Sequence, residues 1–363
     1  MFNQYVQPYD PVKILSVSDL NPSFFNNDTI KIGVSANLGG HTRELCAGIS
    51  VALEKWMLKQ RDYNVQILWE ECTLDKNDSI KAANSLIARG ADVIIGHLSA
   101  TQALYCLQVY GEAGIPFLAP GTSHPDLTRY GYKNVLRFCG LDTDMAQKMI
   151  EVVKRENAKK ITLIYENKEY GEKLGSLLTR NAKKETTIDI TQTIKWDQVI
   201  KEKLENKIIL FAGRYELAIE VIKYLEAIGF KGMVVLGDDS YISDLLEFVN
   251  EVNEDIDIRI VSTPLNNKSE LFNEFQKAYI QKADAPLGAY SITSYAATKY
   301  LLQSLDQLKH TSLENLISHI KKIATSYEDP LLGKLEFTSN GDPWNFKWIE
   351  YKLEGGEFKK IEE

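Results

Sequence analysis

The chain has 363 residues, of which 44% are hydrophobic and 25% are charged, and its formal net charge is −8 at pH 7. This composition indicates a folded globular protein of about two domains. The net charge is negative and no row of Lys and Arg runs along a predicted helix face, so nucleic acid and anionic membranes are excluded as partners. No apolar run approaches the roughly 18 residues needed for direct membrane insertion.

Residues 1–29 are predicted to form an N-terminal extension, rich in Asn, Asp, Pro and Ser. A tether, an additional packed arm and residues foreign to the natural chain are all open interpretations. The segment lacks the basic start, apolar stretch and small-residue cleavage site of a secretion signal. Either the protein is cytoplasmic, or the numbered chain begins after a signal that was removed.

From Thr29 onward, β-rich apolar runs alternate with segments of helical periodicity, such as 77–89 and 143–156. Strands are predicted at 29–34, 64–69, 91–95, 115–118, 134–138, 160–165, 207–212, 232–237 and 258–262. This alternation predicts parallel sheets with helices on both faces. Two sheets are expected, because a single parallel sheet of this many strands would be unusually wide.

The pattern changes twice along the chain, near 140–144 and beyond Val261. The second change leads into long helices, predicted at 268–282, 288–307 and 312–324. Terminal strands are predicted at 335–338 and 345–351, with a Ser-Asn-Gly-Asp turn between them.

Several predicted strands end in loops that carry small, hydroxylic or acidic residues, most clearly the strand that precedes Gly96-His-Leu-Ser-Ala. Ligands of open parallel sheets lie at the carboxyl ends of the strands, where helix N-termini offer N–H groups. Because the polar groups come from separate loops, the pattern predicts ligand binding. The motifs of nucleotide-binding, serine-hydrolase and zinc-protease enzymes are absent from the sequence, so neither an enzyme nor a cofactor is predicted.

The cysteines and histidines do not form a recognisable metal or redox motif. No C-x-x-C pair occurs, and free buried thiols are expected, with disulfides left open for an exported protein, at Cys46, Cys72, Cys106 and Cys139. Three histidines fall in loops of the first domain at spacings too loose to define metal ligands: His41, His97 and His124. No metal site is predicted.

A set of motifs occurs in one order along the chain: Val-Ile-Ile-Gly-His-Leu from 93, Pro-Gly-Thr-Ser-His-Pro-Asp from 120, Val-Leu-Arg-Phe-Cys-Gly from 135, Tyr-Gly-Glu from 170, Gly-Ala-Tyr-Ser-Ile-Thr-Ser-Tyr from 288 and Gly-Lys-Leu-Glu-Phe from 333. By these motifs the chain resembles the type I periplasmic binding proteins, in particular the branched-chain amino-acid (Leu/Ile/Val) binding proteins of ABC transporters. The resemblance extends from about residue 30 to residue 355.

The resemblance implies an α/β fold of two doubly wound parallel-sheet lobes, joined by a hinge of three chain crossings. Lobe one would comprise 30–140 plus 266–333, and lobe two 141–262 plus 334–357. A small ligand would be captured in the cleft between the lobes by hinge closure.

In lobe one, the resemblance implies that Ser99 or Ala100 binds the ligand carboxylate at a helix N-terminus. Gly121 and Ser123 would contact the carboxylate and the ammonium through a backbone carbonyl and a hydroxyl. The alternatives are that Ser99 only caps the following helix, and that the second loop is an ordinary turn.

In lobe two, the resemblance implies that Tyr170 covers the ligand and that Asp239 pairs with its ammonium. Asp238 would take this role if the register slips by one residue, and helix capping by this segment is the alternative. Arg214 replaces the tyrosine that is usual in the family. It suggests a ligand with a second acidic group, an altered side-chain pocket, or only a surface ion pair with Glu216 or another acid.

The implied function is a solute receptor that binds a small amino acid or related polar molecule without chemical change. Its partner would be the membrane permease of an ABC transporter or a signalling protein, and its location would be periplasmic or otherwise extracytoplasmic. A cytoplasmic amide or amino-acid sensor of the same fold is the alternative. The family's disulfide near Cys72 is expected to be absent, because its second cysteine is replaced by Ser99.

Overall fold

The computed structural model describes residues 8–16, 29–58, 64–185, 188–196, 198, 204–249, 255–265, 269–307 and 327–362. The chain divides into two compact units. Unit one consists of Met1–Gly140 and Leu265–Phe346, and unit two of Leu141–Pro264 and Lys347–Glu363. The chain therefore passes from one unit to the other three times, after residues 140, 264 and 346.

Helices and strands alternate along most of the described chain. The helices are α1 Pro11–Leu15, α2 Gly40–Met57, α3 Lys76–Ala88, α4 Ala100–Glu112, α5 Asp126–Arg129, α6 Asp142–Arg155, α7 Glu169–Lys184, α8 Tyr215–Ala227, α9 Ser243–Val249, α10 Glu270–Ala283 and α11 Ser291–Gln307. The strands are β1 Thr29–Ala36, β2 Asn64–Glu71, β3 Val93–Ile95, β4 Phe117–Ala119, β5 Val135–Arg137, β6 Lys160–Tyr165, β7 Asp189–Lys195, β8 Ile208–Ala212, β9 Gly232–Leu236, β10 Ile256–Ser262, β11 Tyr327–Asp329, β12 Gly333–Leu335, β13 Ile349–Glu354 and β14 Glu357–Lys360.

Each unit is built on its own sheet. Unit one has a five-stranded parallel sheet in the order β2-β1-β3-β4-β5 and a small antiparallel pair, β11-β12. Unit two has a seven-stranded sheet in the order β14-β13-β10-β9-β8-β6-β7. Its strands β6 to β10 are parallel, and β13 and β14 add to one edge in antiparallel pairing. The predicted α/β class with two parallel sheets is confirmed.

The central strands are buried along their whole length because helices cover both faces of a parallel sheet. Every residue of β3, β4, β5 and β8 is buried. Their near-continuous apolar sequences explain why these strands could be predicted from sequence. Among the described residues, no helix is both long and apolar enough to cross a membrane.

The strand β7 was not predicted, because Asp189–Lys195 alternates polar and apolar residues and lies at the sheet edge, where only one side of the strand is covered. The short helix α1 in the N-terminal extension was also missed. The predicted helices 268–282 and 288–307 correspond to α10 and α11. The predicted helix 312–324 lies outside the described residues.

The predicted C-terminal strands are partly wrong. The segment 335–338 contains only the end of β12 and a single bridge from Phe337 to Pro343, and the next strand begins at Ile349 instead of residue 345. The Ser-Asn-Gly-Asp turn is present between the bridged residues. Gly341 has φ +91 there, a conformation that glycine adopts without strain.

Candidate functional site

The first predicted ligand loop follows β3 in unit one. Ser99 occupies the N-cap position of α4 with extended backbone angles, yet its side chain makes no capping hydrogen bond to the helix. Its carbonyl accepts the Ala103 N–H at 3.0 Å, as the first bond of the helix requires. Ser99 and Ala100 therefore lie at a helix N-terminus, where backbone N–H groups favour an anion.

The second predicted loop follows β4 and lies against the first. The Thr122 hydroxyl donates to the His97 carbonyl at 2.7 Å. Gly121 packs so closely that a Cβ at this position would lie 2.7 Å from Leu98 Cδ2 and 3.1 Å from Tyr290 Cδ1. Ser123 is buried in the same loop. The two loops expected to bind a carboxylate are thus adjacent within unit one.

A fully buried arginine at the end of β5 holds the second loop in place. The Arg137 guanidinium donates to the Thr122 carbonyl and, at 2.9 Å, to the His124 carbonyl. Its Nε donates to Asp342 Oδ1 at 2.8 Å, and Thr128 donates to the other oxygen of that carboxylate at 2.7 Å. No role was predicted for Arg137, although a charged residue inside the apolar run 135–138 must be paired when buried.

A second group of residues, for which no ligand contact was predicted, connects the N-terminus of α2 to the loop before α11. The Glu44 carboxylate accepts the Tyr290 N–H at 2.7 Å and lies 3.0 Å from His41 Nδ1. The His41 ring contacts the Tyr290 ring edge-on, with centroids 4.7 Å apart. Tyr290 is the residue that packs on Gly121, so this network borders the predicted ligand loop.

In unit two, Tyr170 lies in the first turn of α7, close to several acids. Its hydroxyl donates to Asp238 Oδ1 at 3.3 Å. Burial, together with the carboxylates of Asp238, Asp142 and Asp239, raises the pKa of Tyr170 well above its usual value. The hydroxyl therefore remains protonated and able to donate a hydrogen bond.

Arg214, at the N-cap of α8, forms an ion pair with Glu166, which directly follows β6. The Arg214 Nη2 to Glu166 Oε1 distance is 2.6 Å, and Arg214 Nε lies 3.1 Å from the same oxygen. Glu166 is almost completely buried and also accepts the Arg214 backbone N–H at 3.1 Å. Burial acts to lower the pKa of Arg214, but the Glu166 hydrogen bonds and the carboxylates of Glu216 and Asp239 raise it, so the side chain remains cationic. Arg214 does form an ion pair with another acid, but Glu166 is buried, so the pair is not the surface ion pair that was considered.

Asp239 follows β9 in a short 3-10 turn, Asp238–Ser240. Its Oδ2 accepts the Tyr215 N–H at 2.6 Å, and Tyr215 is the first residue of α8. Asp239 therefore satisfies a backbone donor of the preceding helix, whereas the capping alternative placed it on the following helix. The neighbouring Asp238 is completely buried and accepts the Tyr170 hydroxyl.

The predicted residues of unit two thus come together at the carboxyl ends of its strands. The carboxylate of Asp239 lies close enough to act electrostatically on both Tyr170 and Arg214. Tyr170 also contacts Asp238, which was left as an alternative, and Arg214 contacts Glu166, which was missed as a site residue. Glu166 could have been suspected from its position directly after an apolar strand. A group in which carboxylates outnumber the guanidinium favours a cation such as an ammonium.

Each of the three loop histidines has a local hydrogen-bond or ionic contact. His41 contacts Glu44, His97 Nε2 lies 2.9 Å from the Tyr110 hydroxyl, and His124 Nδ1 accepts the Asp126 N–H at 3.1 Å. In the part of the chain that the structure describes, no group of three or more His, Cys, Asp or Glu side chains is placed to hold a metal ion.

Comparison with known proteins connects this architecture to one family. A family model described as periplasmic binding protein matches residues 29–348. The Leu/Ile/Val/Thr-binding protein of Salmonella typhimurium is 28% identical over 288 residues, which cover 76% of this chain and 76% of that protein.

Two solved structures share the fold at low identity. A leucine-binding protein of Thermotoga maritima is 18% identical and has a TM-score of 0.78, and the match covers 92% of this chain and 98% of that protein's chain. The second is a solute-binding protein of an ABC transporter from R. palustris, in complex with benzoate. It is 15% identical and has a TM-score of 0.78, and the match covers 92% of this chain and 95% of that protein's chain. The chain belongs to the periplasmic binding protein family, with the type I fold and the relationship to branched-chain amino-acid binding proteins that its motifs predicted.

Proposed function

We propose that the protein is a solute receptor that binds a small amino acid or a related polar ligand on behalf of an ABC-type transporter. The observation that carries the proposal is the Asp239 carboxylate, placed after β9 beside Tyr170 and Asp238 in a member of this family. A carboxylate in a partly buried position binds an ammonium through a charge-assisted hydrogen bond, which is stronger than a neutral one.

Unit one supplies the groups for the ligand carboxylate in this proposal. Backbone N–H groups and the hydroxyl at Ser99 and Ala100 bind the anion at the N-terminus of α4. The Gly121 carbonyl and the Ser123 hydroxyl bind the ammonium and the carboxylate from the second loop. The rigid attachment of that loop to Arg137 supports this assignment, because a preorganised site loses less entropy on binding.

Unit two supplies the remaining contacts. Asp239 binds the ammonium, and Tyr170 covers the ligand with its ring. Arg214 was considered as a clamp for a second acidic group or as part of an altered side-chain pocket. Its ion pair with buried Glu166 favours the altered pocket, because the guanidinium already has a carboxylate partner.

The candidate ligands follow from the relatives. The Salmonella relative is named for Leu, Ile, Val and Thr, so these four amino acids are the first ligands to test. Benzoate, which occupies a structural neighbour, represents ligands without an amine. Proteins of this family are binding components of transporters, and we expect no catalytic activity.

In the proposed mechanism, ligand binding favours a closed form of the chain that a membrane permease or a signalling partner recognises. The ligand must bind the closed form more tightly for the signal to exist. An extracytoplasmic location agrees with the family. The comparisons give no support to the alternative of a cytoplasmic sensor.

The substitution Asp239→Asn tests the proposal by isothermal titration calorimetry with L-leucine, L-isoleucine, L-valine and L-threonine. Asparagine keeps an oxygen that can accept the Tyr215 N–H, but it removes the negative charge. We expect affinity for the best ligand to fall about 10-fold to 100-fold, since hydrogen bonds to charged groups contribute about 1.5–3 kcal/mol.

The control is Asp189→Asn, which removes an exposed carboxylate from β7 of the same unit and should leave affinity unchanged. Equal affinities of the two variants would show that Asp239 does not contact the ligand. Binding of benzoate alone by the native protein would rule out the amino-acid receptor.

A further inference from the structure

The N-terminal extension includes a folded arm, defined here as residues 8–16, that packs on unit one. Asp10 caps α1 by accepting the Val12 N–H at 2.9 Å, and Ile14 and Leu15 are buried. At the end of the arm, the Ser16 carbonyl accepts Lys282 Nζ of α10 at 3.1 Å. The C-terminal end of the arm is therefore held to unit one by a specific contact.

Tyr9 of the arm binds the backbone at the start of α2. Its hydroxyl donates to the Gly39 carbonyl at 2.6 Å and accepts the Gly39 N–H at 3.3 Å. Gly39 is the N-cap residue of α2, and the helix has no side-chain capping hydrogen bond there. Arg43, in the first turn of α2, lies with Cζ 5.0 Å from the centre of the Tyr9 ring.

The first turn of α2 connects in turn to the second predicted ligand loop. His41 contacts the Tyr290 ring, and Glu44 accepts the Tyr290 N–H. Tyr290 packs on Gly121 so closely that a Cβ added to this glycine would lie 3.1 Å from Tyr290 Cδ1. A continuous series of contacts therefore runs from Tyr9 through α2 and Tyr290 to the loop that contains Gly121 and Ser123.

We infer that the arm is part of the scaffold of the ligand site and that Tyr9 is a positioning residue, which fixes the start of α2 and, through Tyr290, the ligand loop at Gly121. This inference rests on the proposed function for its effect on ligand binding. Tyr9 does not touch the ligand in this account. It acts by limiting the positions that the Gly121 loop can adopt, which lowers the entropy lost on binding.

The decisive variant is Tyr9→Phe, which keeps the ring beside Arg43 and removes the hydroxyl that holds Gly39. Hydrogen–deuterium exchange of the native chain and the variant measures the effect without a ligand. We expect exchange to rise at least 3-fold in the segments 40–44 and 121–124 and to remain unchanged in unit two. Calorimetry should show a roughly 3-fold to 10-fold weaker affinity for L-leucine or for the best ligand of the amino-acid panel.

Two further variants separate positioning from general stability. Val12→Ala changes an exposed residue of the same arm and should alter neither measurement. Tyr9→Leu removes the ring as well as the hydroxyl, and its effects on the same segments should be larger than those of Tyr9→Phe.

A uniform rise in exchange, or unchanged exchange at 121–124, would overturn the inference, as would unchanged affinity in Tyr9→Phe. If the native protein binds no amino acid of the panel, the proposed function fails. Exchange at 121–124 then decides by itself whether the arm positions that loop.

Discussion

Single buried polar residues hold the loops of this protein in place. Arg137 donates to two backbone carbonyls and to Asp342 in unit one, and Glu166 pairs with Arg214 in unit two. An unpaired charge in such a position would be very costly, so each of these residues depends on its partners. Their contribution is best measured by substitutions that retain charge but change geometry.

Arg137→Lys should strongly destabilise the protein. Lysine keeps the positive charge, but its single ammonium cannot reproduce the planar set of donors that contacts two carbonyls and Asp342. Since breaking a buried pair costs about 3–5 kcal/mol, we expect a loss near the lower end of that range in urea denaturation. Arg129→Lys, at a side chain 80% exposed, should change stability by less than about 0.5 kcal/mol. Equal stability of the two variants would contradict the role given to Arg137.

His97 should make the protein less stable in acid. Burial lowers the pKa of His97 to about 4, from an ordinary value of 6.5. Above pH 6.5 the residue is neutral in both states and has no effect. Between pH 6.5 and 4 the unfolded chain binds a proton that the folded chain does not, so stability falls as pH falls.

The predicted loss from His97 between pH 7 and pH 5 is about 2 kcal/mol. It is measured as the difference in urea-unfolding free energy at the two pH values, in the native chain and in His97→Gln. Glutamine does not titrate, so the variant should lose about 2 kcal/mol less over this interval. The same pH dependence in both proteins would show that His97 is not responsible.

At the scale of helices and strands, the proposed ligand contacts share one position in the fold. They lie directly after β3, β4, β8 and β9, or in the first turn of the helix that follows β6. The sheet holds the strand ends at fixed spacing, so loops distant in sequence become neighbours. Helix α2 carries His41 and Glu44 of the unit-one network, and it packs closely against α11.

Gly48 should be essential for the packing of α2 against α11. A Cβ at Gly48 would lie 2.7 Å from the Ser291 carbonyl and 2.9 Å from the Tyr295 nitrogen, and backbone atoms cannot move aside as side chains do. Gly48→Ala should therefore destabilise the protein by about 2 kcal/mol or more, as overpacked cores do.

Gly175 in α7 is the matched control, because the nearest atom to its added Cβ would be 3.5 Å away, an ordinary contact. Gly175→Ala should stabilise the protein by about 0.5–1 kcal/mol, since alanine favours helix more than glycine does. Thermal unfolding of both variants should give melting temperatures that move in opposite directions. A shift of the same sign in both would refute the close helix contact at Gly48.

At the scale of the whole molecule, the four cysteines are free and buried, as expected from sequence. Burial raises the pKa of Cys72 to about 11, and burial with the nearby Cys72 raises that of Cys106 to about 12. Thiols of this kind react slowly, because the thiolate is the nucleophile. Their exposure depends on opening of the fold and therefore reports on global stability.

A thiol reagent such as Ellman's reagent should label no cysteine of the native protein within minutes at pH 8 and all four in guanidinium chloride. A ligand at 100 times its dissociation constant adds about 2.7 kcal/mol of stability and should slow the labelling of the native protein further. Rapid labelling without denaturant would contradict the burial of the thiols, and fewer than four reactive thiols after denaturation would reveal a disulfide.

Much of the fold and the placement of the candidate loops could be predicted from local patterns. The central strands are apolar along their whole length, and the loops after them carry the motif residues Ser99, Gly121, Ser123 and Asp239. The edge strand β7 could not be predicted in this way, because one uncovered side leaves it half polar. A packed arm was only one of the interpretations left open for residues 1–29, and its helix α1 was not predicted because five helical residues give too short a periodic signal.

The sequence by itself determined the α/β class, the two sheets, the family and the loops proposed to bind ligand, since all of these depend on local periodicity and motif order. Only the tertiary structure decided which partners hold those loops. Arg137 meets Asp342 across 205 residues, Arg214 meets Glu166 across 48, and Tyr9 meets Gly39 across 30. Such pairs join residues whose separation in sequence gives no local signal, and they become neighbours only when the sheet order brings their strands and loops together.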